Sequence, residues 1–407
     1  MIGAATPTEA AAILDAARDV AADLATRADQ HDREGSYAPE NIDALWAAGL
    51  GNLTLPGDLG GAGAGLATSA EAVRIVATGD ASTALIWVMH LIHLRMLSDP
   101  TSGLPVALRD RVVASSLAGP ALVNALRVEP ELGTPGRGGV PGTRAVRTTG
   151  PDGEPQWRIT GHKIYSTGSH GLRWLLVWAA TGDEDPDGVR IGPFLVPADA
   201  PGIEIRETWD HLGMRASASH DILLHDTPVP LDHAGALEPL GSPIVGLRDP
   251  VSMGWMNLLL LGIYQGVAGA ARDWLVGYLH ERVPSNLGAP LASLPRFQVA
   301  VGEIDALLLA NRRLLDALAQ DIDAGGEAAR RAGRESSLAK VVVTRNVIAA
   351  TEQAVALVGN PGLAMHHPLQ RHLRDALCSR IHAPQDDVVL TAAGRAALGL
   401  EPPPKGT

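Results

Sequence analysis

Cysteine is almost missing. Cys378 is the only one in 407 residues, which rules out an intrachain disulfide and a thiolate-rich metal cage and fits a reducing, cytoplasmic setting. Lysine is nearly as scarce: Lys163, Lys340 and Lys405 are the whole complement, a bias read as coding-DNA composition and given no functional weight. Positive charge is in deficit, with 33 Lys plus Arg against 45 Asp plus Glu and a net charge of −12. That balance opposes attraction to nucleic acid or anionic lipid, so neither polyanion nor a membrane surface is expected as a partner. Charged residues make up only 19% of the chain and apolar ones 46%, which argues against disorder and supplies a sizeable interior. The first thirty residues carry Glu9, Asp15 and Asp19 and lack the succession of basic, apolar and small residues of a secretion signal, so export is not expected. Val251 to Ala271 holds no charge, but it contains Gly254, Gly262, Gly266, Gly269, Asn257 and Gln265 and runs into Arg272 and Asp273. It reads as a helix buried in a bundle rather than a membrane span.

Several chemistries also lack their residues. The glycines of Gly60 to Gly65 do not fit G-x-G-x-x-G, and no strand-to-helix unit with a following acid accompanies them. No G-x-x-x-x-G-K-[ST] and no H-E-x-x-H occurs, and Ser169 lacks the first glycine of a nucleophile elbow. His90 and His93, and the later group His366, His367 and His372, have no carboxylate neighbours in sequence, so no metal site is expected.

What is present divides the chain by periodicity. Apolar residues recur at helical spacing over Thr8–Asp29, Pro39–Ala48, Leu66–Gly79 and Ser82–Leu97. Between Pro120 and Pro230 short β-rich runs alternate with turns: Leu122–Leu126, Trp157–Thr160, Trp174–Ala179, Ile191–Val196, Ile203–Thr208 and Asp221–His225, with loops or hairpin ends at Gly133–Gly142 and Asp183–Gly188. Long helical patterns return over Pro250–Arg282, Arg296–Asp323, Glu327–Val358, Pro368–Ile381 and Asp386–Ala397. The expected organisation is an α+β chain with an N-terminal helical domain (1–118), a central β domain (119–235) and a C-terminal helical bundle (236–407).

Gly161-His-Lys-Ile-Tyr-Ser-Thr-Gly168, followed by the strand Trp174–Ala179, resembles a motif of the acyl-CoA dehydrogenase superfamily. Other pieces fall in the same order: Leu59-Gly-Gly-Ala-Gly, Leu212-Gly-Met-Arg-Ala-Ser217, Gly359-Asn-Pro-Gly362 and Arg374-Asp-Ala376. The resemblance spans about residues 10 to 397. It implies the fold of that family, with a β-barrel-like central domain and a C-terminal four-helix bundle, a flavin held between the two, and a homotetramer or dimer. By motif match, Tyr165, Ser166 and Thr167 border the isoalloxazine, with Thr167 near N(5), where a hydroxyl or backbone amide tunes hydride chemistry. Arg282 and Gln298 match positions that bind the FAD pyrophosphate, and an arginine fork suits phosphates. Gly359, Asn360 and Gly362 stand where a glycine-rich turn approaches the adenosine half. Their departures from the family pattern favour FMN, or a reduced flavin supplied by a separate reductase, over FAD.

One departure bears on mechanism. A dehydrogenase of this family needs a carboxylate to take the proton alpha to a thioester. Here the aligned stretch is His382-Ala383-Pro384-Gln385, with Ala383 at the position of the acid, and Val251–Ala271 supplies none. His382-Ala-Pro instead resembles the flavin-dependent monooxygenase branch typified by dibenzothiophene monooxygenase and the amino-sugar nitrososynthases, as do Asn124 and Thr167. The implied arrangement has Asn124 and Thr167 at the flavin N(5) region and His382 donating to oxygen held over the ring. Trp87, His90, His93, Trp255 and Met256 are expected to line an apolar pocket for an aromatic or secondary-metabolite substrate. The favoured function is a two-component monooxygenase using reduced flavin and O2. The alternatives are an acyl-CoA or acyl-carrier dehydrogenase with a relocated base, and a non-catalytic assembly subunit.

Overall fold

The computed structural model describes residues 6–133, 139–182, 184–240, 242 and 249–400. The expected loops at Gly133–Gly142 and Asp183–Gly188 therefore fall partly outside the described residues.

The chain opens with six helices: α1 (Pro7–Ala25), α2 (Ala28–Glu34), α3 (Pro39–Ala47), α4 (Leu66–Gly79), α5 (Ala81–Ser98) and α6 (Val106–Ala118). The first pattern, read as one helix, is two, because the chain breaks at Thr26–Arg27. Local chemistry sets the starts. Thr6 and Glu9 form a reciprocal capping box at α1, and the Asp80 carboxylate accepts the Ser82 and Thr83 amides at α5, each satisfying amides that the first turn leaves unpaired. The start of α4 is capped from far away, as Asp323 accepts the Leu66 amide at 2.6 Å and the Ala67 amide at 2.9 Å.

The middle of the chain builds one eight-stranded sheet: β1 (Leu122–Leu126), β2 (Arg144–Thr149), β3 (Pro155–Lys163), β4 (Leu172–Thr181), β5 (Arg190–Pro197), β6 (Ile203–Arg206), β7 (Asp221–Pro230) and β8 (Glu238–Pro239). Its order is β6-β7-β3-β2-β4-β5-β8, with β1 joined in parallel to β4. The strand β2 has no counterpart among the expected runs. It exposes most of its side chains and buries only Ala145, so it lacks the apolar alternation by which a strand is recognised.

Five helices follow: α7 (Pro250–Glu281), α8 (Pro295–Ala324), α9 (Gly326–Val358), α10 (Pro368–Leu377) and α11 (Asp386–Ala397). The pattern read through Ile381 ends earlier, at Leu377, with a 3-10 turn over Cys378–Arg380. By length and composition α5, α7 and α9 are apolar enough to cross a membrane, yet 72%, 78% and 56% of their most apolar windows are buried within the protein. The largest core cluster joins all three regions, running from Leu24 and Val76 through Ile159 and Val177 to Tyr264 and Val347.

A polar contact unites the two motifs Leu212–Ser217 and Arg374–Ala376. Arg374 pairs with Asp32 of α2 at 2.5 Å and donates to the Leu212 carbonyl at 2.7 Å. Arg215 donates to the Asp32 carbonyl at 2.8 Å, and the Asp375 carboxylate accepts the Met214 amide at 2.7 Å. Gly213 lies so close to α10 that a Cβ there would come within 2.3 Å of the Arg374 carbonyl. Helix α2, the sheet domain and α10 are thus locked at one point.

Candidate active site

The site grows from the turn between β3 and β4. Lys163 ends β3 with its ammonium fully buried, donating to Glu129 at 2.6 Å and to the Trp178 carbonyl at 2.5 Å. The chain then reverses. Tyr165 takes the left-handed conformation (φ 58°) and so does Gly168 (φ 76°), while Met214 and Ala218 do the same in the loop opposite. Non-glycine residues held in that region need surrounding structure to impose it, and such places concentrate at functional sites. The imposing contacts are backbone ones: Ser166 to His220, Gly168 to Ser217 and Ser169 to Ala218, at 2.9 to 3.1 Å. Across Gly168 lies Ile86 of α5, 3.0 Å from where a Cβ would stand.

β1 runs beside the start of β4 and brings Asn124 onto this turn. Its amide nitrogen donates to the Thr167 carbonyl at 3.0 Å, while its oxygen accepts the Ala125 amide at 2.7 Å. The Thr167 hydroxyl meets that of Ser219 at 2.9 Å, and Ser219 meets Ser217 at 2.7 Å. Two of the three proposed catalytic positions, Asn124 and Thr167, therefore touch. Beside them the Ser166 hydroxyl is buried without a partner. The Tyr165 ring is 54% exposed, standing edge-on to Trp209 and His211, which stack on each other at 3.7 Å. A buried hydroxyl without a partner, a side-chain amide and an exposed aromatic wall suit a planar heterocycle with hydrogen-bonding edges, and the turn fits a flavin on those grounds.

His382 belongs to a second group. Its Nε2 bonds the hydroxyl of Tyr264 on α7. Burial, with help from the Lys340 ammonium, pushes the imidazole down to about 4, while burial pushes the phenol well above its usual value. The imidazole is therefore neutral at pH 7. The Lys340 Nζ, Thr344 Oγ1 and Asp386 Oδ1 are buried without hydrogen bonds, and Lys340 stands 3.7 Å from Asp386.

The other expected residues separate. Trp87 is 0% exposed and donates its indole N–H to the Leu50 carbonyl. His90 is equally enclosed, accepting the Val123 amide at 3.2 Å, with its charge suppressed by burial to about 3. A residue with no exposed surface lines no pocket, so both are core. His93 is half-buried and bonds the Met89 carbonyl through Nδ1 at 2.7 Å. Trp255 carries the Arg95 guanidinium 4.3 Å from its ring centroid, and Met256 next to it is half-buried. Arg282 and Gln298 are both exposed at the connection between α7 and α8, with Gln298 donating to the Ala292 carbonyl at 3.0 Å. Gly359 (φ 73°) ends α9, Asn360 is exposed and Gly362 is buried in the 3-10 turn that follows.

Two acids near the bundle are committed. Asp386 pairs with Lys340 and Arg345. Asp375, pushed up to about 7 by burial, spends its oxygen on the Met214 amide. Sequence reasoning did not foresee the Tyr264–His382 pair, Ser219 or the roles of Lys340 and Asp375. No sequence pattern marks them.

Family models for the acyl-CoA dehydrogenase N-terminal, middle and C-terminal domains match residues 7–99, 134–227 and 261–386. YdbM of Bacillus subtilis, named for the acyl-CoA dehydrogenases, is 35% identical over 91% of this chain and 92% of its own. The L-evernosamine nitrososynthase of a Micromonospora species is 30% identical over 96% and 90% respectively. Among solved structures, KijD3 in complex with FMN and a dTDP-linked amino sugar superposes with a TM-score of 0.82 at 28% identity, covering 100% of this chain and 97% of that one. The fold and its motifs define a flavin-dependent oxidoreductase. The chain belongs to the acyl-CoA dehydrogenase family.

Proposed function

We propose that this chain is the oxygenase of a two-component monooxygenase, working on a small aromatic or secondary-metabolite substrate with reduced flavin, preferentially FMN, delivered by a separate reductase in the cytoplasm. The observation that carries this reading is the neutral His382, bonded to Tyr264, next to Ala383, which stands at the position where the dehydrogenases of the family have a carboxylate. When bound, the flavin supplies the electrons that activate O2. Asn124 and the Thr167 hydroxyl hold the N(5) edge of the ring. Tyr165 covers its flank. His382, oriented by Tyr264, donates a hydrogen bond through its free nitrogen to the reacting oxygen, in surroundings dry enough to keep the imidazole uncharged. The likeness to a nitrososynthase, and to a structure holding FMN with an amino sugar, supports oxygenation over dehydrogenation. Were the flavin FAD, Arg282 and Gln298, exposed at the connection between α7 and α8, would serve its pyrophosphate.

The dehydrogenase alternative has one observation in its favour, the high affinity of buried Asp375 for its proton, but that carboxylate braces Met214. The test is rapid mixing of the FMN-reduced protein with oxygenated buffer. A transient species preceding oxidised flavin supports oxygenase chemistry. Reoxidation in one phase at the rate of free reduced FMN refutes it.

A further inference from the structure

Just beyond β1, one of two neighbouring cations, Lys163, takes the local carboxylate. Glu129 accepts from the Lys163 ammonium, from the Gly142 amide at 2.6 Å, and from the amide and hydroxyl of Thr143 at 3.1 and 2.6 Å. Three of these bonds fall on Oε1 and one on Oε2. Arg127, two residues earlier, lies with its guanidinium 4.8 Å from the centroid of the Trp178 ring. Among the described residues no carboxylate pairs with it. It is half-buried, and burial alone lowers its affinity for a proton, to about 10.

The groups around Arg127 are unsatisfied in a matching way. The indole N–H of Trp178 is buried without an acceptor. His93, whose charge the Arg127 cation further disfavours, donates through Nδ1 to the Met89 carbonyl and so keeps Nε2 as an open acceptor. Lys163 also feels the Arg127 cation. A half-buried positive charge with no counter-charge among the described residues, beside an orphaned donor, is stabilised by an anion that accepts from both. A guanidinium over an indole face keeps N–H groups free to donate, and its fork can grip two oxygens at once.

We propose that Arg127, with the Trp178 indole N–H, forms a recognition site for an oxyanion, a phosphate or carboxylate, and that His93 accepts from a hydroxyl or N–H next to that anion. Arg127 lies three residues beyond Asn124, about 10 Å along an extended chain and, by the alternation of a strand, on its opposite face, so a molecule at the Asn124–Thr167 turn would carry the oxyanion around the end of β1 to reach it. The proposal relies on the flavin-oxidoreductase reading only for the carrier of that oxyanion, which is either the FMN phosphate or the substrate.

The test needs no turnover. Inorganic phosphate is added to the wild-type protein at constant ionic strength, with chloride as control, while the melting temperature and the Trp178 indole N–H resonance (assigned by its loss in Trp178→Phe) are followed. Phosphate should raise the melting temperature and move that resonance. In Arg127→Met both responses should vanish, and in Arg127→Lys, which keeps the charge but not the fork, phosphate should bind about 10-fold more weakly. FMN and riboflavin titrations identify the carrier. If Arg127→Met weakens FMN about 10- to 100-fold and spares riboflavin, the anion is the flavin phosphate. If FMN affinity is unchanged and phosphate still binds the FMN-loaded wild type, the anion belongs to the substrate. A wild-type protein indifferent to phosphate, together with an Arg127→Met variant of normal FMN affinity, overturns the proposal. Because no arm measures oxygen chemistry, a failed monooxygenase assay leaves these readouts intact.

Discussion

Replacing Tyr264 by Phe removes one hydroxyl from a buried position and tests how His382 is held. Tyr264 is 1% exposed and stays protonated at neutral pH, so its hydroxyl donates to Nε2 of the neutral imidazole, which puts the ring proton on Nδ1. Without that donor a buried acceptor goes unpaired, at a cost of about 1–3 kcal/mol. The same energy holds the neutral over the charged imidazole, so the pKa of His382 should rise from about 4 by roughly 1–2 units. Urea unfolding should show the stability loss, and a histidine NMR titration, assigned with His382→Gln, should show the rise. In rapid mixing of the reduced FMN complex with O2, a ring free to rotate should shorten the transient about 10-fold or more. A Tyr264→Phe protein with unchanged stability and an unchanged His382 titration would refute the pairing. Unchanged oxygen kinetics alone would refute its functional role.

Asn124→Ala should leave the fold intact and weaken FMN about 10-fold, read by flavin fluorescence, because the turn loses the donor that fixes the Thr167 carbonyl. Arg374→Met should destabilise the protein by about 3 kcal/mol or more in urea, since it strands the Asp32 carboxylate, whose side chain is 7% exposed; a loss under 1 kcal/mol would count against the lock between the three regions. His90, His93, His372 and His382 are all held neutral, with folded values of about 3 to 4 against 6.5 when free. Their contribution is present above 6.5 and is lost as pH falls through that range toward 3, each group accounting for about 1.4 kcal/mol per pH unit. Asp375, raised to about 7, acts the other way, its contribution being complete below 3.8 and lost as pH rises through 7. Urea midpoints should therefore fall between pH 6 and pH 4, less steeply in His372→Gln; midpoints that rise on acidification would contradict the assignment.

Much of the architecture could be read in advance because long helices and apolar strands announce themselves. Leu66–Gly79, Leu122–Leu126 and Asp386–Ala397 have the bounds expected from periodicity. The strand β2 could not be read that way, because Arg-Ala-Val-Arg-Thr-Thr is held by its neighbours β3 and β4 rather than by burial of its own side chains. The site was legible as motifs and opaque as contacts. The motif around Thr167 marks a turn, but only the parallel pairing of β1 with β4 shows that Asn124 reaches it. Arg374 and Asp375 could be recognised as a motif, whereas their partners Asp32 and Met214 lie 342 and 161 residues away. Trp87 and His90 carry the composition of pocket residues, and tertiary packing put them in the core. Where buried atoms are left without partners, at Ser166, Trp178 and Lys340, no sequence pattern flags them, because an orphan is defined by what folding fails to bring.

The central claim, that no carboxylate serves as a base for thioester chemistry, is tested most directly without oxygen. The flavin-loaded protein is mixed anaerobically with short, medium and long saturated acyl-CoA thioesters while the visible absorbance of the flavin is followed. The account predicts that the oxidised spectrum persists with every chain length. Bleaching by any one of them would contradict it.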